Sequence, residues 1–252
     1  MIIEEVAGGD SLLKRLDPRV KIAVALFFSV VVAVSNRFLV LGSALAVSLG
    51  IVLTARIPER EIIRRLLPVN TLILFLWLFL PFTIAGRPLF SFGLLVGTVE
   101  GVLYAVRISI KSNAIMLMLI ALVASTPIFT LGHAMHELRI PKKLVHLFFF
   151  TYRYLHVMHR EYVRLVNSMK ARGFNPGTNL HTYKTFAYMV GILLVKSFDR
   201  AQRVHNAMLC RGFKGNLYSL SELSIKKVDI ISLILMTAVI LLFGILEWTK
   251  IT

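Results

Sequence analysis

Two stretches of this sequence close in the same way. Residues 164–174 read RLVNSMKARGF and residues 203–213 read RVHNAMLCRGF, sharing Arg, Asn, Met, Arg, Gly and Phe at a constant offset of 39. Arg164 thus corresponds to Arg203, Met169 to Met208, Arg172 to Arg211, Gly173 to Gly212 and Phe174 to Phe213. Helix termination accounts for part of the pattern. A glycine just past the last turn takes a left-handed conformation, and the apolar residue after it packs back on the helix. That places Phe174 over Met169 and Phe213 over Met208. Arg172 and Arg211 are left over. A cation is favourable at a helix C-terminus, but lysine would serve equally. Arginine in both copies fits forked hydrogen bonding to carboxylates or carbonyl groups of a partner. Two equivalent ends fit a partner with two equivalent subunits.

Other spacings are less specific. His133 with His136 and Glu137, and His156 with His159, place imidazoles one helical turn apart, which is compatible with a metal. Two histidines on a basic helix are ordinarily solvated, and no ligand is assigned. Glu100, Arg107 and Lys111 share a helical face with Tyr104 inside an apolar stretch. Charges there point at a partner helix or a wet cavity, or the helix enters lipid only after Lys111. No Gly-x-x-x-x-Gly-Lys-Ser/Thr phosphate loop, Gly-x-Ser-x-Gly elbow or His-Glu-x-x-His motif occurs.

The elements that must carry these residues follow from composition. In 252 residues, 57% are hydrophobic and 17% charged, with a mean hydropathy of +0.76. This excludes a soluble enzyme and puts most of the chain in lipid. Against that background stand 29 Lys and Arg and 13 Asp and Glu, a net charge of +16. A single cysteine, Cys210, precludes an internal disulfide framework. Residues 1–10 carry Glu4, Glu5 and Asp10 and lack a signal-peptide layout, so they are expected to be retained.

Apolar segments at 20–35, 38–54, 66–85, 94–124 and 231–247 predict five crossings. Asp17-Pro18 caps the first segment, and Asn36-Arg37 separates it from the second as a tight hairpin. Of the 29 cations, 24 fall before the first segment (Lys14, Arg15, Arg19, Lys21), between the second and third (Arg56, Arg60, Arg64, Arg65), or in 139–227. Only Arg37, Arg87 and Lys250 face the other way. Positive charge stays inside, so the N-terminus is expected in the cytoplasm and the C-terminus outside. Between Thr126 and Lys227 the pattern predicts helices outside the lipid or at its surface, over 127–138, 141–172 and 186–211. The last two carry the repeated ends.

At these residues the chain resembles the transmembrane T component of energy-coupling-factor (ECF) transporters, most closely its CbiQ type from cobalt and nickel uptake. The resemblance rests on LDPRVK at 16–21, on RIPKKLVHLFFFTYRYLHVMHREYVRLVNSMKARGF at 139–174, and on MLCRGFKG at 208–215. Paired Ala-Arg-Gly ends are the family's signature, and Cys210 replacing alanine in the second is a small-for-small departure.

The resemblance implies an all-α integral membrane protein with about five transmembrane helices and long cytoplasmic coupling helices. It implies transmembrane helices 1–4 over 1–125, a coupling domain over 126–227 and a last transmembrane helix over 228–252. As a multi-pass cell-membrane subunit, the chain would transmit ATP-driven motion of two ATP-binding-cassette ATPases to a substrate-capturing membrane protein of the S or CbiM type. It would be non-catalytic and bind no cofactor, with ATP and Mg²⁺ held by the ATPases, and metal capture would belong to the partner. Ala171, Arg172, Gly173, Cys210, Arg211 and Gly212 would make the ATPase contact. Met169, Phe174, Met208, Phe213, Arg164 and Arg203 would support the helix ends.

An integral-membrane transferase acting on phospholipid or isoprenoid phosphate is the rival reading, since Lys and Arg clusters suit phosphate headgroups. Against it, the acids of the cytoplasmic half (Glu137, Glu161, Asp199, Glu222 and Asp229) include no paired Asp motif for Mg²⁺. Nucleic-acid binding is not expected, because the positive-inside pattern accounts for most of the charge.

Overall fold

The computed structural model describes residues 16–55, 57–84, 86–92, 95–138, 140–215 and 227–248. Expectations for residues 1–10, Lys14, Arg15, Arg56, Arg139, Glu222, Lys226 and Lys250 lie outside the described residues. Contacts divide the chain into two compact units, Met1–Ala134 with Glu222–Thr252, and Met135–Ser221.

The first unit begins with α1 (Pro18–Val34), where the Asp17 carboxylate accepts the Arg19 N–H at 2.9 Å and proline occupies the first turn. After Ser35–Arg37 the chain turns into α2 (Phe38–Ala55) and then α3 (Glu59–Thr83), whose first turn carries Glu59 and Glu61. Strands β1 (Pro88–Phe92) and β2 (Leu95–Thr98) form an antiparallel hairpin. Helix α4 (Val99–Leu119) follows and widens into one π turn over Ile120–Ala124. The last helix of this unit is α8 (Lys227–Trp248). The hairpin corrects the sequence expectation, which ran a span from residue 94. Residues 95–98 are strand, and the Thr98 hydroxyl, 2.7 Å from the Ile84 carbonyl oxygen, ties the hairpin to the end of α3.

Small residues set the packing. Ala44 and Ser48 of α2 and Ala114 and Ala121 along α4 are completely buried, letting backbones approach as they do between helices in lipid. Around them Phe28 and Val32 of α1, Leu41 of α2, Met118 of α4 and Phe243 of α8 complete one core. Gly101 marks a close approach of α4 to α3: a Cβ there would lie 2.6 Å from the Leu80 carbonyl oxygen. Beyond this seam α3 exposes Leu72, Leu74, Phe75, Leu78 and Phe79, a surface suited to lipid or a membrane partner.

Among the described residues, four helical stretches are long and apolar enough to cross a membrane: Phe38–Ala55, Glu59–Thr83, Val99–Ala124 and Asp229–Trp248. Helix α1, with 17 residues, spans roughly 26 Å at ~1.5 Å per residue. Its course follows from its ends. The Asp17 N–H donates to Asp229 Oδ1 at 2.7 Å where α1 and α8 begin. The Asn36 N–H donates to Glu247 Oε1 at 3.0 Å where both finish. The two helices therefore run parallel, side by side over the length of α1. Helix α4 runs against them, with Lys111 Nζ 2.9 Å from the Ala33 carbonyl oxygen and Thr126 Oγ1 3.4 Å from Lys21 Nζ. Lys21, grouped with the basic loop in the sequence reading, lies within α1 and is only 2% exposed.

Helix α5 (Ile128–Glu137) contains the boundary between the units. The second unit is dominated by α6 (Lys142–Ala171) and α7 (Leu180–Cys210). Helix α7 starts six residues before the sequence expectation of 186, because its first turns are polar (His181, Thr182, Lys184) and carry no apolar period. Thr182 Oγ1 accepts the Gly177 N–H at 3.2 Å and folds the connecting loop onto that first turn.

Candidate functional site

Helices α6 and α7 place the two repeated segments at their C-termini, and their caps agree closely. At the first, the Phe174 N–H reaches the Met169 carbonyl at 3.1 Å and the Gly173 N–H reaches Lys170 at 3.0 Å. At the second, the Phe213 N–H reaches the Met208 carbonyl at 3.0 Å and the Gly212 N–H reaches Leu209 at 2.9 Å. Both are Schellman closures. The glycines take φ of +80° and +77°, and the capping arginines have φ, ψ of −90°, 14° at Arg172 and −90°, 12° at Arg211. Exposure repeats as well: Ala171, Arg172 and Gly173 are exposed, as are Cys210, Arg211 and Gly212, while Met169, Phe174, Met208 and Phe213 are half-buried. Met and Phe thus hold each end from beneath, and the arginine with its small neighbours forms the outer surface.

Phe174 also reaches across to the second helix. Its ring lies 5.9 Å from Phe186 and 6.2 Å from His181, so it bridges to the start of α7. This contact makes the pair antiparallel near the loop. From Phe186 to Arg211 is roughly 37 Å of helix at ~1.5 Å per residue, so the two ends lie at opposite ends of the pair.

Glu161 fastens the helices where they cross. It is 7% exposed, accepts a hydrogen bond from Lys196 and forms an ion pair with Arg164 at 3.3 Å. The hydrogen bond from the Lys196 ammonium, with Lys196, Arg164 and Arg200 all cationic nearby, holds its carboxyl below the usual range against the opposing effect of burial. Sequence reasoning passed over Glu161 as one acid among several. The signal was present in the offset of 39: the residue corresponding to Glu161 is Arg200, so the two copies carry opposite charges at the crossing. Arg164 joins this ion pair while remaining exposed, and its counterpart Arg203 is exposed as well.

Beside the crossing, α6 and α7 enclose an apolar groove of about 870 Å³ whose lining includes Leu147, Phe150, Tyr154, Phe198, Val204 and Met208. Helix α7 also exposes Tyr188, Val190, Leu194, Val195 and Phe198. So much apolar surface on a helix pair calls for lipid or protein cover. The histidines do not converge: among the described residues no three of His, Cys, Asp and Glu gather as a metal site would need. Glu100, Arg107 and Lys111 separate as well. Glu100 accepts the Arg87 N–H at 2.7 Å, while Arg107 and Lys111 lie beside the turn between α1 and α2.

An apolar helical bundle with a parallel α1–α8 pair, together with a basic helix pair bearing two matched ends, defines an all-α membrane protein. The chain belongs to the CbiQ family, described as cobalt transport protein, which it matches over residues 9–220, a range that includes both helix ends. It is similar to proteins named energy-coupling factor transporter transmembrane protein EcfT. Identity is 29% to that of Listeria innocua over 226 residues, covering 85% of each chain. It is 27% to that of Lactococcus lactis over 263 aligned positions, covering 100% of this chain and 99% of the relative. The Bacillus subtilis protein is 26% identical over 226 residues, again covering 85% of each.

Proposed function

We propose that this chain is the transmembrane coupling subunit of an ECF-type importer. In this reading α6 and α7 are cytoplasmic coupling helices within a domain spanning 126–227, and their ends dock on two ATP-binding-cassette ATPases. The observation that carries the proposal is the equivalence of the ends. Two caps alike to within a few degrees, each exposing an arginine between small residues, are what a pair of like subunits would need. Arg172 and Arg211 supply forked hydrogen bonds to carboxylates or carbonyls on the ATPases, and Ala171, Gly173, Cys210 and Gly212 leave room for close approach.

Motion enters through these ends and passes along helices 30 and 31 residues long, which the Glu161 crossing holds as one body. The exposed apolar surface of α3 offers a seat for the substrate-capturing membrane protein. ATP and Mg²⁺ belong to the ATPases, and this chain performs no chemistry itself. The proposed cargo is cobalt or nickel ion, a reading supported by the family description. The distribution of Lys and Arg supports a cytoplasmic N-terminus in the cell membrane.

Joint substitution of Arg172→Glu and Arg211→Glu tests the central contact. The double variant is expected to reach the membrane and keep its thermal unfolding while losing the ATPases on affinity purification. Retention of both ATPases at wild-type stoichiometry would remove the assigned role of both arginines.

A further inference from the structure

Arg107 and Lys111 lie one helical turn apart on α4, level with the turn between α1 and α2. That turn, Ser35–Arg37, is polar and joins two apolar helices, so it sits at a membrane surface. Lys111 Nζ donates to the Ala33 carbonyl oxygen at 2.9 Å and to Asn36 Oδ1 at 3.2 Å, both neutral. The Arg37 guanidinium donates to the Leu246 carbonyl at 3.0 Å, also neutral. Arg107 is held between two rings, 5.2 Å from the centroids of Phe38 and Tyr104, and its buried Nε has no hydrogen-bond partner among the described residues. Among the described residues the carboxylate that meets this turn is Glu247, which accepts the backbone N–H groups of Asn36 and Arg37 at 3.0 and 3.4 Å. Lys111, Arg37 and Arg107 thus outnumber the carboxylate that the described residues bring to this turn, and the buried Nε of Arg107 lacks the acceptor that a buried N–H requires.

We propose that this corner binds the phosphate of an anionic phospholipid headgroup. The phosphate would accept from Arg107 and from the remaining Lys111 proton, and the adjoining apolar surface would carry the acyl chains. That surface is present, since Phe38 is 40%, Leu39 73% and Leu103 43% exposed. A free phosphate would use the cations and ignore this surface, which is why the geometry favours a lipid. The inference stands apart from the coupling role, because it uses none of the residues assigned to it.

The test is native mass spectrometry of the full detergent-extracted chain, titrated with dioleoyl phosphatidylglycerol or dioleoyl phosphatidylcholine. One phosphatidylglycerol is expected to bind about 25-fold more tightly than phosphatidylcholine. Arg107→Gln with Lys111→Gln should erase that preference, about fivefold for each cation removed, because phosphatidylcholine carries its own choline cation and gains less from the two positive charges. Millimolar inorganic phosphate should not displace the lipid. A photoactivatable phosphatidylglycerol on the wild-type chain, which needs no variant, should label peptides containing residues 33–38 and 104–111. Equal affinity for the two lipids, an unchanged preference in a folded double variant, displacement by inorganic phosphate, or labelling confined to other peptides would each overturn the proposal.

Discussion

At Gly173 and Gly212 a Cβ would meet nothing within 4 Å, so the positive φ alone disfavours a side chain there. Replacing Gly173 with Ala is expected to cost about 1 kcal/mol, whereas Gly173→Asn should cost less, because asparagine tolerates the left-handed region. Thermal unfolding of the two variants measures the difference, and equal stability would show that the closure contributes little. Glu161 gives a pH dependence with a definite sign. Its carboxyl is held low in the folded chain, so its stabilisation is present above the unfolded carboxylate value of about 4.3 and is lost as pH falls through the lower folded value. Melting curves recorded between roughly pH 6 and 3 should show a loss of stability that Glu161→Gln reduces. The repeated caps were fully legible in the sequence, because a Schellman closure is local and has a fixed spacing. The role of Glu161 was not, since its partner Lys196 lies 35 residues away and only the crossing of two helices joins them.

Among the elements, α1, α2 and α6 follow the sequence closely, since caps, charges and apolar period all mark their ends. The hairpin of β1 and β2 does not, because its apolar residues continue directly into α4 and read as one span. What marks the true start of α4 is Thr98, whose Oγ1 accepts the Gly101 N–H at 3.3 Å as a helix cap. Gly101 then serves the α3–α4 seam. Its hypothetical Cβ lies 2.6 Å from the Leu80 carbonyl oxygen and 2.7 Å from Pro81 Cα, backbone atoms that cannot rotate away. Gly101→Ala should therefore force the helices apart at a cost of about 1–3 kcal/mol. A Tm lowered by several degrees is expected in detergent, together with a change in the fluorescence of Trp77, whose indole donates to Ser109 across the same seam at 2.9 Å. An unchanged Tm would mean that the seam is looser than its geometry indicates. The parallel course of α1 and α8 was beyond local reading, because Asp17 and Asp229 are 212 residues apart.

For the whole molecule, the central claim is that a membrane bundle carries a basic helix pair whose two ends dock on ATPases in the cytoplasm. The native chain holds its own probe, because Cys210 is its single cysteine and lies exposed beside Arg211. The decisive measurement is the rate at which a membrane-impermeant maleimide labels Cys210 in vesicles of known orientation, with and without the ATPase pair bound. The account predicts labelling only where the cytoplasmic face is accessible, with at least about a tenfold slowing when the ATPases are bound, since roughly 1.4 kcal/mol of protection gives that factor. It also predicts that the slowing disappears in Arg172→Glu/Arg211→Glu. Labelling from the opposite face, or an unchanged rate with the ATPases bound, would contradict it.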